Sequence, residues 1–126
     1  MTAILKGDIV AYVPYFTAHI ESNKELVFSG IGDIYFTVDT GFSGGIALSE
    51  DLIQYMELEI AAYDTFKLAN GEIVELPVYI GGVRIGDKRV ETWFIPGNSL
   101  LGLEFLSNVG SILSFDLRRG SVQLAE

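Results

Sequence analysis

The sequence predicts a mostly β domain, and three observations carry that expectation. Short apolar or alternating runs recur along the chain, separated by glycine, asparagine and aspartate. The dipeptide Asn70-Gly71, with strand-like runs on both sides, is a strong hairpin signature. Helical spacing breaks this rhythm in only two short segments, 48–58 and 103–110. With 126 residues and 49% hydrophobic content, the chain is expected to build one modest core. A single domain spanning 1–126 follows, since no linker or internal repeat divides it.

The elements are expected as follows. "IVAYVPYF" (9–16) and "LVF" (26–28) read as strands around the polar "ESNKE", with Pro14 suggesting an edge position. "DIYFTV" (33–38) is rich in β-branched and aromatic residues, as a core strand should be. In "LSEDLIQYMEL" (48–58), Ser49 suits an N-cap, Glu50 and Asp51 suit the positive end of a helix dipole, and Leu52, Ile53 and Met56 share a face. "TFKLANGEIVELPV" (65–78) is a hairpin, with Asn70-Gly71 expected as a type I′ turn. A second hairpin turns at Gly86-Asp87. "PGN" (96–98) leads to a strand ending at Leu100-Leu101, and "LEFLSNVG" reads as a helix closed by Gly110. "SILSFDLRRGSVQLAE" is a closing hairpin around Arg118-Arg119-Gly120.

Composition excludes several classes of function. A formal net charge of −9 opposes binding to nucleic acid or an anionic membrane. The chain has no cysteine, which removes disulfides and thiol chemistry, and a single histidine, His19, cannot form a multi-histidine metal site. No Gly-x-Ser-x-Gly elbow is present to pair with His19, which reads as a surface or edge residue. No apolar run reaches the roughly eighteen residues of a membrane helix. The N-terminus "MTAILKGDIV" lacks the pattern of a signal peptide, so a cytoplasmic location is expected. No cofactor or metal is expected.

"FTVDTGFSGG" (36–45) places Asp39 where an apolar strand meets a glycine-rich turn. A charged carboxylate is costly to bury without a partner. Taken alone, Asp39-Thr40-Gly41 also fits an aspartate opening a tight turn. It does not fit a calcium loop, because Gly41 and Ser43 offer at most one weak oxygen. Nor does it fit an aspartate-nucleophile phosphatase loop, which would want a second acidic residue where Gly41 stands.

The context after the tripeptide narrows the reading. A short helix, the Asn70-Gly71 hairpin, "LLG" (100–102), the helix "LEFL" and a terminal hairpin follow in turn. From about residue 30 to 124 this order resembles the retropepsin-like aspartic proteases, especially the prokaryotic relatives of the retroviral enzymes. The resemblance implies an acid-protease-like closed β-barrel with one or two short helices, assembled as a homodimer. It also implies an aspartic endopeptidase acting on peptide or protein substrates, with Asp39 catalytic and Thr40 and Gly41 completing the active-site loop. Thr40 would hydrogen-bond across the two-fold axis, and Gly41 would leave room for the substrate backbone. Leu101 and Gly102 would pack against the loop, Gly102 permitting a close backbone approach. Ala69, Asn70 and Gly71 would form the flap tip, and the outer terminal strand "SVQLA" would contribute to the dimer interface. Phe42 departs from the small residue usual in the retroviral and pepsin-like motifs, although some prokaryotic relatives share "VDTGF". Its ring could fill part of a pocket, favour small substrate side chains, or pack in the core.

Chemistry explains why such a chain would need a twin. Hydrolysis without a metal or covalent intermediate needs a base for the attacking water and an acid for the carbonyl oxygen. Two adjacent carboxylates sharing one proton supply both. This chain has one Asp-Thr-Gly and too few residues for two lobes. The rival reading is a non-catalytic dimeric β module that keeps this fold to bind peptides or a partner protein. A weaker rival is a monomeric β-barrel with a small ligand. The cations of "GGVRIGDKRV" read as a solvated hairpin, and Tyr12, Tyr15, Phe16, Tyr35 and Phe36 as core and edge packing.

Overall fold

The computed structural model describes residues 2–21 and 34–126. Its elements in chain order are β1 (Ala3–Val10), β2 (Val13–Glu21), β3 (Ile34–Val38), β4 (Ile46–Leu48), α1 (Glu50–Tyr55) and β5 (Glu59–Lys67). There follow β6 (Ile73–Ile85), β7 (Lys88–Pro96), β8 (Leu100–Leu101), α2 (Leu103–Val109), β9 (Ile112–Asp116) and β10 (Ser121–Ala125). The protein is mostly β. The ten described strands join one mixed sheet in the order β5-β6-β7-β4-β8-β3-β2-β1-β10-β9. An added β2–β6 pairing bends six of them into a partial ring rather than a fully closed barrel. That closure spans three residue pairs, from His19↔Arg84 to Glu21↔Gly82.

Alternation along the strands builds the core. Phe16, Ala18 and Ile20 point inward from β2, and Phe36 and Val38 from β3, as a period of two requires. Phe94 of β7, Leu101 of β8 and Phe105 of α2 meet them, all fully buried. Each such side chain contributes about 1.5–3 kcal/mol by leaving water, which fixes the strands on either side of the candidate loop. Helix α1 forms where its sequence predicts. The Ser49 hydroxyl accepts from the Leu52 amide at 3.3 Å, and Ile53 is its buried residue.

Several expectations need correction. The run 9–16 is not one strand: Ala11 and Tyr12 adopt φ of 49° and 67° and turn the chain between the paired residues Val10 and Val13. Two successive positive φ values define a type I′ turn, here without the usual glycine or asparagine. Pro14 lies near the start of an interior strand, because β2 pairs with both β1 and β3; pairing to β3 begins only at Tyr15. At the β5–β6 turn only Gly71 has positive φ (86°), so the turn is not type I′. The Gly71 amide donates to the Leu68 carbonyl, and Leu68 pairs with Glu72, giving a three-residue loop. Gly110 closes α2 in an extended conformation (φ −150°), where a Cβ would press on the Ala125 carbonyl and the Leu124 side chain. β10, the "SVQLA" strand, is not an outer strand, since β1 and β9 flank it. Among the described residues the sheet ends at β5 and β9. The three-residue strand β4, wholly buried, was not expected at all. "LVF" (26–28) falls outside the described residues.

Candidate active site

The loop 39–45 is held by two strands that the sequence places far apart. β3 runs parallel to β8, with Thr37↔Leu100 and Val38↔Leu101 in register, and β4 runs antiparallel to the other side of β8. β8 therefore lies between the strand entering the loop and the strand leaving it. The Asp39 amide donates to the Leu101 carbonyl at 3.0 Å, the Gly102 amide to the Gly45 carbonyl at 2.8 Å, and the Leu103 amide to the Phe42 carbonyl at 2.9 Å. Val38 and Leu101 on either side are buried, so the backbone of Asp39 is anchored in the core while its side chain emerges from it.

Asp39 is half-buried, and Thr40 and Gly41 are exposed. The Asp39 carboxylate accepts from the Gly41 amide at 3.0 Å through Oδ1. A Cβ on Gly41 would stand 3.3 Å from that oxygen, so glycine keeps the carboxylate uncrowded. At Gly102 the constraint is stronger. A Cβ there would overlap the Gly44 carbonyl and come within 2.9 Å of the Phe42 ring. Its φ of −93° is ordinary, so close approach rather than conformational freedom demands glycine here.

Asp39, Thr40, Gly41, Leu101 and Gly102 thus come together. The hairpin tip does not join them in this chain. Ala69, Asn70 and Gly71 are exposed, and a Cβ on Gly71 would meet nothing within 4 Å. The arm leading to the tip is closer to the loop. A pocket of about 390 Å³ lies between residues 42–46 on one side and β5 and β7 on the other, with Ala62 and Phe66 of the arm in its wall. Phe42 is half-buried, lines this pocket and covers Gly44 and Gly102, which places it between the first and third roles its sequence allowed.

Sequence reasoning missed three contributors. Gly45 is buried, and a Cβ there would overlap the Trp93 carbonyl; its position in a glycine-rich run gave no hint of this packing. Trp93 turns outward to the pocket while its neighbour Phe94 fills the core, a split that strand alternation could have signalled. Glu104, in the first turn of α2, also lines the pocket. His19 is half-buried in β2, in register with Arg84, and is remote in the fold from the loop. Among the described residues no group of three or more His, Asp or Glu side chains is placed to hold a metal. No described helix is long and apolar enough to cross a membrane.

Compared with known proteins, the sequence matches no protein-family model and no curated protein.

Proposed function

We propose that the protein is an aspartic endopeptidase of retropepsin-like fold whose active site forms when two copies bring their Asp39 carboxylates together. One observation carries the reading: the loop 39–45 that opens with Asp39-Thr40-Gly41 is held at both ends by backbone hydrogen bonds to Leu101-Gly102, Asp39 to Leu101 and Gly102 to Gly45, at a spot where only glycine fits at 102. This is the packing that the resemblance implies, and its two halves are distant in sequence. The exposure of Thr40 and Gly41 supports it further, because a two-fold partner needs that surface free in the single chain.

In the dimer the two carboxylates share one proton. The ionised one removes a proton from the attacking water, and the protonated one donates to the scissile carbonyl oxygen. The Gly41 amide keeps one carboxylate oriented through its bond to Oδ1. The β5–β6 hairpin serves as the flap, its arm walling the pocket and its tip at Ala69–Gly71 moving over bound peptide. Substrates are extended peptides, and the site needs no cofactor.

The peptide-binding reading without catalysis draws on a different observation: Asp39 is not among the residues lining the pocket. One experiment separates the two. A diverse peptide library is incubated with the wild type and with Asp39→Asn, and products are read by mass spectrometry. Cleavage by the wild type alone supports the endopeptidase. Binding without cleavage by either leaves the non-catalytic module.

A further inference from the structure

The pocket beside the loop has an unusual chemical character. Tyr63 and Phe66 of β5, Trp93 of β7 and Phe42 give it aromatic walls. Two carboxylates, Asp64 and Glu104, also line it, and among the described residues no lysine, arginine or histidine does. Asp64 is tied back on one side, its Oδ1 accepting from the Thr65 amide at 2.8 Å, which leaves its other oxygen available. Glu104 makes no ion pair with a described cation. The whole chain carries a net charge of −9, so the surrounding field adds to the local one.

We infer that this pocket receives a long cationic side chain, arginine or lysine, from the bound peptide. This rests on the reading that the cleft takes extended peptides and adds a charge preference to it. The argument weighs three classes of side chain. An aliphatic chain gains the aromatic contacts but leaves both carboxylates without a counter-charge. An acidic chain is repelled by them. A lysine or arginine lays its methylene stem along the aromatic rings and brings its charge to the carboxylates, gaining cation–π and ionic attraction together. The pocket is open to solvent, so the cation is only partly dehydrated and the penalty for burying charge stays small.

Trp93 supplies the test, because it is the sole tryptophan and lines the pocket at 43% exposure. Capped pentapeptides Ala-Ala-X-Ala-Ala, with X as arginine, lysine, citrulline, norleucine or glutamate, are titrated against the intact Asp39→Asn protein while tryptophan emission is followed. The arginine and lysine peptides are expected to bind roughly five- to tenfold tighter than the citrulline and norleucine peptides, the combined reach of one exposed ion pair and one cation–π contact. The glutamate peptide should bind weakest. Glu104→Gln should shrink the preference, Asp64→Asn with Glu104→Gln should remove it, and about 0.5 M salt should weaken it by screening. Equal binding of arginine and norleucine peptides, a preference that survives the double substitution, or no emission change with any peptide overturns the inference. Cleavage of the same peptides by the wild type is measured in parallel. Cationic preference without cleavage keeps the pocket assignment and removes the hydrolytic reading; cleavage without cationic preference does the reverse.

Discussion

The amide of Asp39 donates to the carbonyl of Leu101 at 3.0 Å, so the backbone of the candidate acid is anchored independently of its carboxylate, which accepts from the Gly41 amide. Replacing the carboxylate with an amide therefore leaves its anchor intact. Asp39→Asn is expected to keep the wild-type circular dichroism spectrum and unfolding midpoint while lowering peptide cleavage at least about 100-fold, since asparagine cannot exchange the proton. Cleavage at the wild-type rate would show that Asp39 is not the acid–base group.

Gly102→Ala is expected to be costly for the opposite reason. The added methyl runs into the Gly44 carbonyl, a backbone atom that cannot swing aside. A loss of about 1–3 kcal/mol in urea unfolding is expected, together with loss of activity. Gly71→Ala is the control: it meets no neighbour and carries only the penalty of a left-handed backbone, about 1–2 kcal/mol. Its effect on the loop around Asp39 should be nil, which amide spectra of the two variants would distinguish.

Assembly gives a third expectation. Sedimentation should report about twice the 13.8 kDa chain mass. Turnover per chain should fall on dilution below the dimer dissociation constant, whereas a site complete in one chain keeps constant turnover. A stable, fully active monomer would remove the two-fold site.

The β1–β2 turn offers a stabilising change. Ala11 and Tyr12 hold positive φ without help from residue type, and Tyr12 is 99% exposed, so its ring contributes little packing. Substituting Ala11→Asn with Tyr12→Gly supplies the pair that a type I′ turn favours. A gain of about 1 kcal/mol, seen as a higher urea midpoint with unchanged slope, is expected.

Closure of the six-strand ring is pinned by one carboxylate. Glu21 contacts Arg84 at 3.0 Å and Arg89 at 2.8 Å, and its side chain is 20% exposed against nearly half for each arginine. Arg89 lies flat across Gly82, where any Cβ would collide with its guanidinium. Solvent screening at the arginines keeps the expected loss modest. Glu21→Gln should cost on the order of 1 kcal/mol, and the difference from wild type should narrow in high salt.

Much of the sheet was legible because local rules governed it. Ser49 caps α1, and the turns at Gly86 and Gly120 take the positive φ that only glycine adopts freely. The bonds from Asp39 to Leu101 and from Gly102 to Gly45 have no local signal, since nothing in either stretch encodes the other. The turn at Ala11-Tyr12 was invisible because its residues lack the usual preference; tertiary pairing of β1 with β10 and β2 with β3 holds them there. β4 was hidden by its length, three residues whose strand character comes from insertion between β7 and β8.

By itself the sequence determined the β character, the two helices, most turn positions and the single acid at the end of an apolar strand. These follow from residue-level preferences and short-range periodicity, which act within a few positions. The tertiary structure alone decided that β8 lies between β3 and β4, that β10 is interior, and that Glu104 and Trp93 line one pocket with Asp64. Such neighbours arise from burying a common core, and a long-range packing constraint leaves no mark on the local residue pattern.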